Sequence, residues 1–206
     1  MPHSENIMYR SHPWHGMPLG ENAPEIVNCY IEIVPTDTVK YELDKETGIL
    51  KVDRPQKYSS LCPSLYGLIP RTYCGTSIAK YCIEKTGQKN IVGDKDPLDI
   101  CVLTEKNIPR GDIMLRAKPI GGFRLIDGDE ADDKIIAVLV GDFIYENFRD
   151  ISECSDNLVD RLRHYFLTYK DPPERENRRV RITHTYGVTE AHEIIKLAQK
   201  DYKEKF

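Results

Sequence analysis

Three aspartates fall within six residues in Gly93-Asp-Lys-Asp-Pro-Leu-Asp99, directly before the apolar run Ile100-Cys-Val-Leu103. In an extended segment Asp94 and Asp96 project to the same side, because side chains alternate. Pro97 interrupts that alternation, so Asp99 can turn back toward the same spot. Carboxylates crowded at one point repel and shift toward protonation unless a cation neutralises them. Hard divalent cations take carboxylate and water oxygens, so the cluster has the chemistry of a Mg²⁺ or Mn²⁺ site. A second acidic run, Asp127-Gly-Asp-Glu-Ala-Asp-Asp133, stands immediately before Lys134 and repeats the arrangement. Neither run is an EF-hand loop, which needs Gly at position 6 and Glu at position 12. Counted from Asp94 those positions hold Asp99 and Glu105, and counted from Asp127 position 12 is Val138.

Basic and phenolic residues supply the complement. Lys40 and Glu42 share the polar face of one predicted strand and Arg54 ends the next. Tyr66-Gly67 is read as a loop, Lys134 follows the second acidic run, and Tyr169-Lys170 end a predicted helix. Carboxylates with Lys, Arg and Tyr are what a metal–phosphate site requires: cations neutralise and activate, while basic groups and hydroxyls hold phosphate oxygens. Taken singly, each Lys or Arg reads as a solvated surface residue and each acidic run as an ordinary turn.

The elements that must position these groups are mostly strands. Val27 to Val34 is apolar and broken by Glu32, and Val39, Tyr41 and Leu43 alternate with polar residues, the signature of a half-buried strand. Asp44-Lys-Glu-Thr-Gly48 reads as a hairpin turn into a partner strand over 49–54. Further strands are predicted over 100–103, 114–119, 123–127 and 134–140, with Gly121-Gly122 separating two of them. Two helices follow. One carries Leu158, Leu162, Phe166 and Tyr169 and is capped by Ser155 or Asp156. The other carries Ala191, Ile194, Ile195, Ala198 and Tyr202 and is capped by Thr189. Strands first and helices last give an α+β, mainly β chain, and the short strand spacing favours a closed barrel over an open sheet. The organisation read from this is one domain over 1–206: an irregular arm over 1–24, a barrel over 25–150 and C-terminal helices over 151–206.

Composition sets the outer bounds. The chain has 206 residues, is 40% hydrophobic and 30% charged, and carries a net charge of −4. That balance argues against a general nucleic-acid binder, and no apolar run is long enough to span a bilayer. The N-terminal segment has no apolar signal region. The six cysteines never form C-x-x-C, which argues against zinc and, without a signal, against a disulfide framework. A reducing compartment, the cytoplasm, is expected.

With these residues in place, the sequence resembles the family I soluble inorganic pyrophosphatases, of bacterial type, from about Ile26 to Lys170. The resemblance rests on Ile31-Glu-Ile33, Lys40-Tyr-Glu42, Val52-Asp-Arg54, Tyr66-Gly67, Asp94-Lys-Asp-Pro-Leu-Asp99, Asp127 to Lys134 and Tyr169-Lys-Asp171, all in family order. It implies a five-stranded OB-type barrel with the two C-terminal helices packed outside. It also implies hydrolysis of pyrophosphate to two phosphates by in-line attack of metal-activated water, with several Mg²⁺ ions per site, Mn²⁺ as a substitute and no covalent intermediate. By that resemblance Asp94, Asp99 and Asp132 ligate the tightest ion, with Asp99 shared toward a second. Asp127 with Asp132 holds an ion that arrives with substrate, and Glu42 helps where metal meets product. Asp96 orients or deprotonates the attacking water. Lys40, Arg54, Tyr66, Lys134, Tyr169 and Lys170 grip pyrophosphate, and Glu32 supports the site from its strand. A homo-oligomer is implied, a homohexamer by preference, with a smaller assembly as the alternative.

Three departures from the family pattern stand out. Lys95 replaces the usual small residue, and its side chain is expected to point outward. Cys62 stands where many bacterial members have Tyr. The link from Gly67 to Asp94 is longer than in the compact bacterial enzymes and is read as a surface excursion over 68–93, or as a cover or subunit contact. Two rival readings are a metal phosphohydrolase acting on nucleotides or polyphosphate, and an OB-type nucleic-acid module using the Arg175–Arg181 cluster. His12 and His15 beside Trp14 are expected to anchor the arm, through Trp14, rather than bind metal.

Overall fold

The computed structural model describes residues 10–170 and 179–206. In chain order the strands before the first helix are β1 (Val27–Ile33), β2 (Val39–Leu43), β3 (Leu50–Pro55) and β4 (Leu65–Leu68). Helix α1 (Thr76–Thr86) follows, then β5 (Val92–Gly93), β6 (Asp99–Leu103), β7 (Ile113–Asp127), β8 (Glu130–Ala131) and β9 (Lys134–Leu139). The chain ends with α2 (Asp156–Thr168), β10 (Val180–Gly187) and α3 (Val188–Lys205). Five strands close a ring in the order β1-β4-β6-β9-β7, because β7 pairs back onto β1. All neighbours in the ring are antiparallel except β6 and β9. This is the five-stranded OB-type arrangement, with the β2–β3 hairpin set beside it as a separate two-stranded sheet.

Side-chain alternation shows why the strands settle this way. On β6, Ile100 and Val102 join one apolar cluster while Cys101 and Leu103 join another. On β9, Ile135 and Ala137 divide from Ile136 and Val138 in the same way. Both faces of these strands are buried, so their sequences read as unbroken apolar runs. The first cluster is covered by Ile78 and Cys82 of α1 and by Ala191, Ile194, Ile195 and Ala198 of α3, the second by Leu162, Tyr165 and Phe166 of α2. Gly67 lets β4 lie against β1, since a Cβ there would meet Tyr30 O at 1.9 Å. All six cysteines are buried and none is in a disulfide.

The structure corrects several expectations. Tyr66-Gly67 lies on β4, not in a loop. The strands expected over 114–119 and 123–127 are one 15-residue strand, β7. Gly121 and Gly122 do not interrupt it: they let β10 come close, because added Cβ atoms would meet Tyr186 O at 2.4 Å and the Tyr186 ring at 2.5 Å. The 68–93 segment is not a mere surface excursion: it contains α1, packed against α3. Among the described residues α1 therefore joins the two expected C-terminal helices outside the ring. The last begins at Val188 with Gly187, not Thr189, at the N-cap position, and the Val188 N–H donates to Asp150 Oδ2 at 2.7 Å. The arm is anchored as expected: Trp14 is buried and its indole N–H donates to Thr72 O at 2.7 Å. His15 stacks on Trp14 and lies 2.8 Å from the Tyr202 hydroxyl. Asp171-Pro-Pro173 and residues 175–178 of the arginine cluster lie outside the described residues. Among the described residues no helix is long and apolar enough to cross a membrane.

Candidate active site

The two acidic runs meet at one mouth of the ring. A cavity of about 330 Å³ is lined there by Glu32, Lys40, Glu42, Arg54, Tyr66, Asp94, Asp96, Asp99, Asp127, Asp132, Lys134, Tyr169 and Lys170. Every site residue expected from the sequence is in that lining. Seven strands, the end of α2 and two turns deliver them. Glu32 comes from β1, and Lys40 and Glu42 from β2, where Lys40 Nζ donates to Glu42 Oε2 at 2.8 Å. Arg54 stands opposite Lys40 on β3. Tyr66 on β4 donates its hydroxyl to Asp99 Oδ2 at 2.6 Å. Asp99 and Lys134 begin the parallel pair β6 and β9 in register with one another, which fixes their separation through the backbone. Tyr169 and Lys170 follow the end of α2.

Asp94 and Asp96 share the cavity for a different reason from alternation. Lys95 between them has φ +67°, so the segment is a turn, closed by the Asp96 N–H donating to Asp94 Oδ1 at 2.9 Å. A left-handed lysine costs roughly 1 kcal/mol, a cost that a glycine at this place would avoid. The Lys95 side chain leaves the cleft and lines a groove between α1 and the end of α3. Cys62 is likewise away from the cleft. It is buried beside Ser64, with Sγ 4.0 Å from the hydroxyl oxygen, in the cluster that holds Tyr165.

Four groups in or beside the site are given no role there by the sequence reading. Lys45 pairs with Asp96, and Arg179 with Asp127. Asp53 holds Lys40 at 3.0 Å, and Glu130 adds another carboxyl to the wall. Lys45 was hidden because it belongs to a segment with ordinary turn composition. What brings it to Asp96 is the direction in which the β2–β3 hairpin projects.

The electrostatics follow from burial. Eight carboxyl groups and five basic groups line the cavity, and no cysteine or histidine does. Burial, reinforced by the Asp132 charge, holds Asp94 well above the usual carboxylate range. Burial also raises Asp132 against the opposing pull of Lys134, and raises Asp96 against that of Lys45. Burial pulls the Lys134 pKa down, but Asp132 and Asp99 outweigh it and hold the ammonium above the usual lysine range. Among the described residues no three acidic, histidine or cysteine side chains already form a cation cage. Lysines stand among the carboxylates instead: Lys134 bridges Asp99 and Asp132, and Lys170 holds Asp127. The donor set fits hard divalent cations, since the candidate ligands are all oxygen, carboxylates outnumber basic groups, and burial leaves their repulsion poorly screened.

Glu32 gives a pH test. Burial pushes its pKa up to about 8, against the Leu43 N–H that donates to Oε1 at 2.7 Å. In the unfolded chain the group titrates near 4.5. The folded state therefore holds a proton that the unfolded chain has released. The resulting stability is complete below pH 4.5 and is lost as pH rises to about 8. Glu32→Gln is expected to flatten that loss, on the order of 5 kcal/mol across the window. Denaturant titrations in chelator from pH 5 to 9 read it, and parallel curves for parent and variant would refute it.

Comparison with known proteins agrees with this geometry. The family model for inorganic pyrophosphatase matches residues 29–203. The inorganic pyrophosphatase of Chlamydia trachomatis serovar L2 is 56% identical over 93% of this chain and 94% of its own length. The soluble inorganic pyrophosphatase of rice (Oryza sativa subsp. indica) is 38% identical over 93% of this chain and 79% of its own length. Among solved structures, the inorganic pyrophosphatase of Thermus thermophilus superposes with a TM-score of 0.78 at 25% identity, covering 94% of this chain and 99% of that one.

Proposed function

Because the chain belongs to the inorganic pyrophosphatase family and hydrolyses pyrophosphate, we propose that the cleft works with Mg²⁺, several ions per site, with Mn²⁺ able to replace it. One observation carries this reading: carboxylates from two distant turns and basic groups from three strands, the β2–β3 turn and the α2 terminus line a single cavity. Asp94, Asp99 and Asp132 would hold the tightest ion, Asp127 with Asp132 another, and Glu42 the ion facing product. Bound there, such ions neutralise phosphate charge and lower the pKa of water.

The chain's own residues do the rest. Asp96 orients the attacking water and takes its proton at the carboxylate, and burial raises the affinity of that group for the proton. Lys40, Arg54, Lys134 and Lys170 hold the phosphate oxygens, and Tyr66 and Tyr169 add hydroxyl contacts. Lysine stems are long enough to turn from a carboxylate to a phosphate, so Lys134 and Lys170 can exchange Asp99, Asp132 and Asp127 for substrate. Attack in line releases the second phosphate as its charge is neutralised, with no covalent enzyme intermediate. Barrel and outer helices act as one unit, the protein is cytoplasmic, and it assembles as a homo-oligomer, for which exposed Phe143 and Ile144 offer an apolar turn.

Phosphate release from pyrophosphate is expected to require added Mg²⁺ and to stop in chelator. Nucleoside triphosphate is expected to be cleaved at less than about one hundredth of that rate, because a cleft of about 330 Å³ suits a small substrate. Equal rates on the two substrates would favour the broader phosphohydrolase reading.

A further inference from the structure

Behind the cleft a guanidinium is buried with no solvent exposure. Arg124 on β7 donates through Nε to both carboxylate oxygens of Asp133 at 3.3 Å, and its Nη2 lies 3.2 Å from Asp133 Oδ2. Nη2 also donates to Glu190 Oε1 on α3 at 2.9 Å. The guanidinium carbon sits 5.0 Å from the Tyr81 ring centroid on α1 and 5.4 Å from that of Tyr186 on β10. Among the described residues Arg124 Nη1 and the Tyr186 hydroxyl, both buried, have no hydrogen-bond partner. A cluster shaped for stability alone would not strand two polar atoms, and apolar residues of similar volume fill such a place at least as well.

Placement supplies another purpose. Asp133 stands between Asp132 and Lys134, which both line the cleft, while its own side chain turns away to Arg124. The Asp132 N–H donates to Leu125 O at 3.0 Å, so the segment returns alongside β7, the strand that carries Arg124. Rotation of 132–134 about its own axis would carry Asp132 and Lys134 out of the site, and a two-pronged charge pair on the third side chain opposes that rotation. We propose that Arg124 and Asp133 are positioning residues whose clasp fixes Asp132 and Lys134 from behind. The proposal rests on the reading of the cleft given above. It also gives α1 a task, since Tyr81 covers the guanidinium and ties the 68–93 segment to the site through Arg124.

The test separates positioning from stability. In Arg124→Met/Asp133→Leu an apolar pair of similar volume replaces the ions, so melting is expected within about 3 °C of the parent. With the clasp gone, kcat on pyrophosphate is expected to fall at least about tenfold, and calorimetry with Mn²⁺ alone is expected to show affinity weakened by about threefold or more. A double variant with the parent's melting temperature, kcat and Mn²⁺ affinity overturns the proposal. If that variant does not fold, Arg124→Lys decides: it keeps the charge but loses the fork. Its kcat should then drop about fivefold at the parent's melting temperature, and parent kcat overturns the clasp. Asp132→Asn serves as the control. Activity retained there defeats the reading of the cleft and the clasp with it, whereas activity lost there but kept in the double variant defeats the clasp alone.

Discussion

Asp99→Ala is expected to lower Mg²⁺-supported pyrophosphate turnover by about a thousandfold or more while the protein stays folded. The side chain begins β6, accepts from the Tyr66 hydroxyl at 2.6 Å and from the Lys134 ammonium, and keeps about a fifth of its surface exposed. Its removal leaves the barrel register intact, because that register is held by backbone pairing to β4 and β9. The cleft, in contrast, loses a candidate shared ligand and the acceptor for two groups at once. A thousandfold loss corresponds to roughly 4 kcal/mol of transition-state stabilisation, more than a misplaced surface contact supplies. Steady-state phosphate release at saturating Mg²⁺ reads the rate, and thermal melting confirms that the variant is folded. A folded variant within tenfold of the parent would remove Asp99 from the centre of the site.

The site was legible in the sequence because its chemistry is local. Carboxylates crowded over 94–99 and 127–133 have the chemistry of a cation site wherever the chain later places them, and all thirteen residues singled out line one cavity. Asp94 and Asp96 nevertheless converge by a different route. Alternation in an extended strand was expected, and a turn through a left-handed Lys95 achieves the same convergence. What the sequence concealed are groups that enter from ordinary turns or tertiary packing. Lys45 reaches Asp96 only because the hairpin projects over the cleft, and Arg179 reaches Asp127 from the chain just before β10. Arg124 has no signal at all, since an arginine among apolar strand residues gives no hint of what will cover it.

The fold follows the same division. β6 and β9 were clear as apolar runs because both of their faces are buried. Helix α1 was missed because only Ile78, Ala79 and Cys82 are buried in it, too short a stripe to stand out. β10 was missed because exposed Arg181 and His184 mask its pairing with β7. The glycine pair within β7 misled in the opposite direction. Gly121-Gly122 has the composition of a turn, but its lack of side chains serves the approach of Tyr186, a contact defined by a residue more than sixty positions away.

Lys134→Met should produce the second large effect, and one with two signs. Lys134 is almost wholly buried, bridges Asp99 and Asp132, and remains charged because those carboxylates outweigh its desolvation. Methionine fills much of the same volume, so the loss is chiefly one of charge. In chelator the variant keeps two inward carboxylates without their ammonium, and repulsion plus desolvation should lower its stability by roughly 3 kcal/mol. A divalent cation can replace the missing charge, so added Mg²⁺ should raise the melting temperature of the variant by several degrees more than that of the parent. Catalysis should move the other way. No cation provides the directional N–H donors that hold a phosphate oxygen, so turnover should stay about a hundredfold or more below the parent even at saturating Mg²⁺. Melting curves with and without Mg²⁺, paired with kcat, separate the two contributions. If Mg²⁺ raised melting equally in parent and variant, Lys134 would not share its carboxylates with a cation, and full recovery of kcat would make the lysine a structural counter-ion with no part in holding substrate.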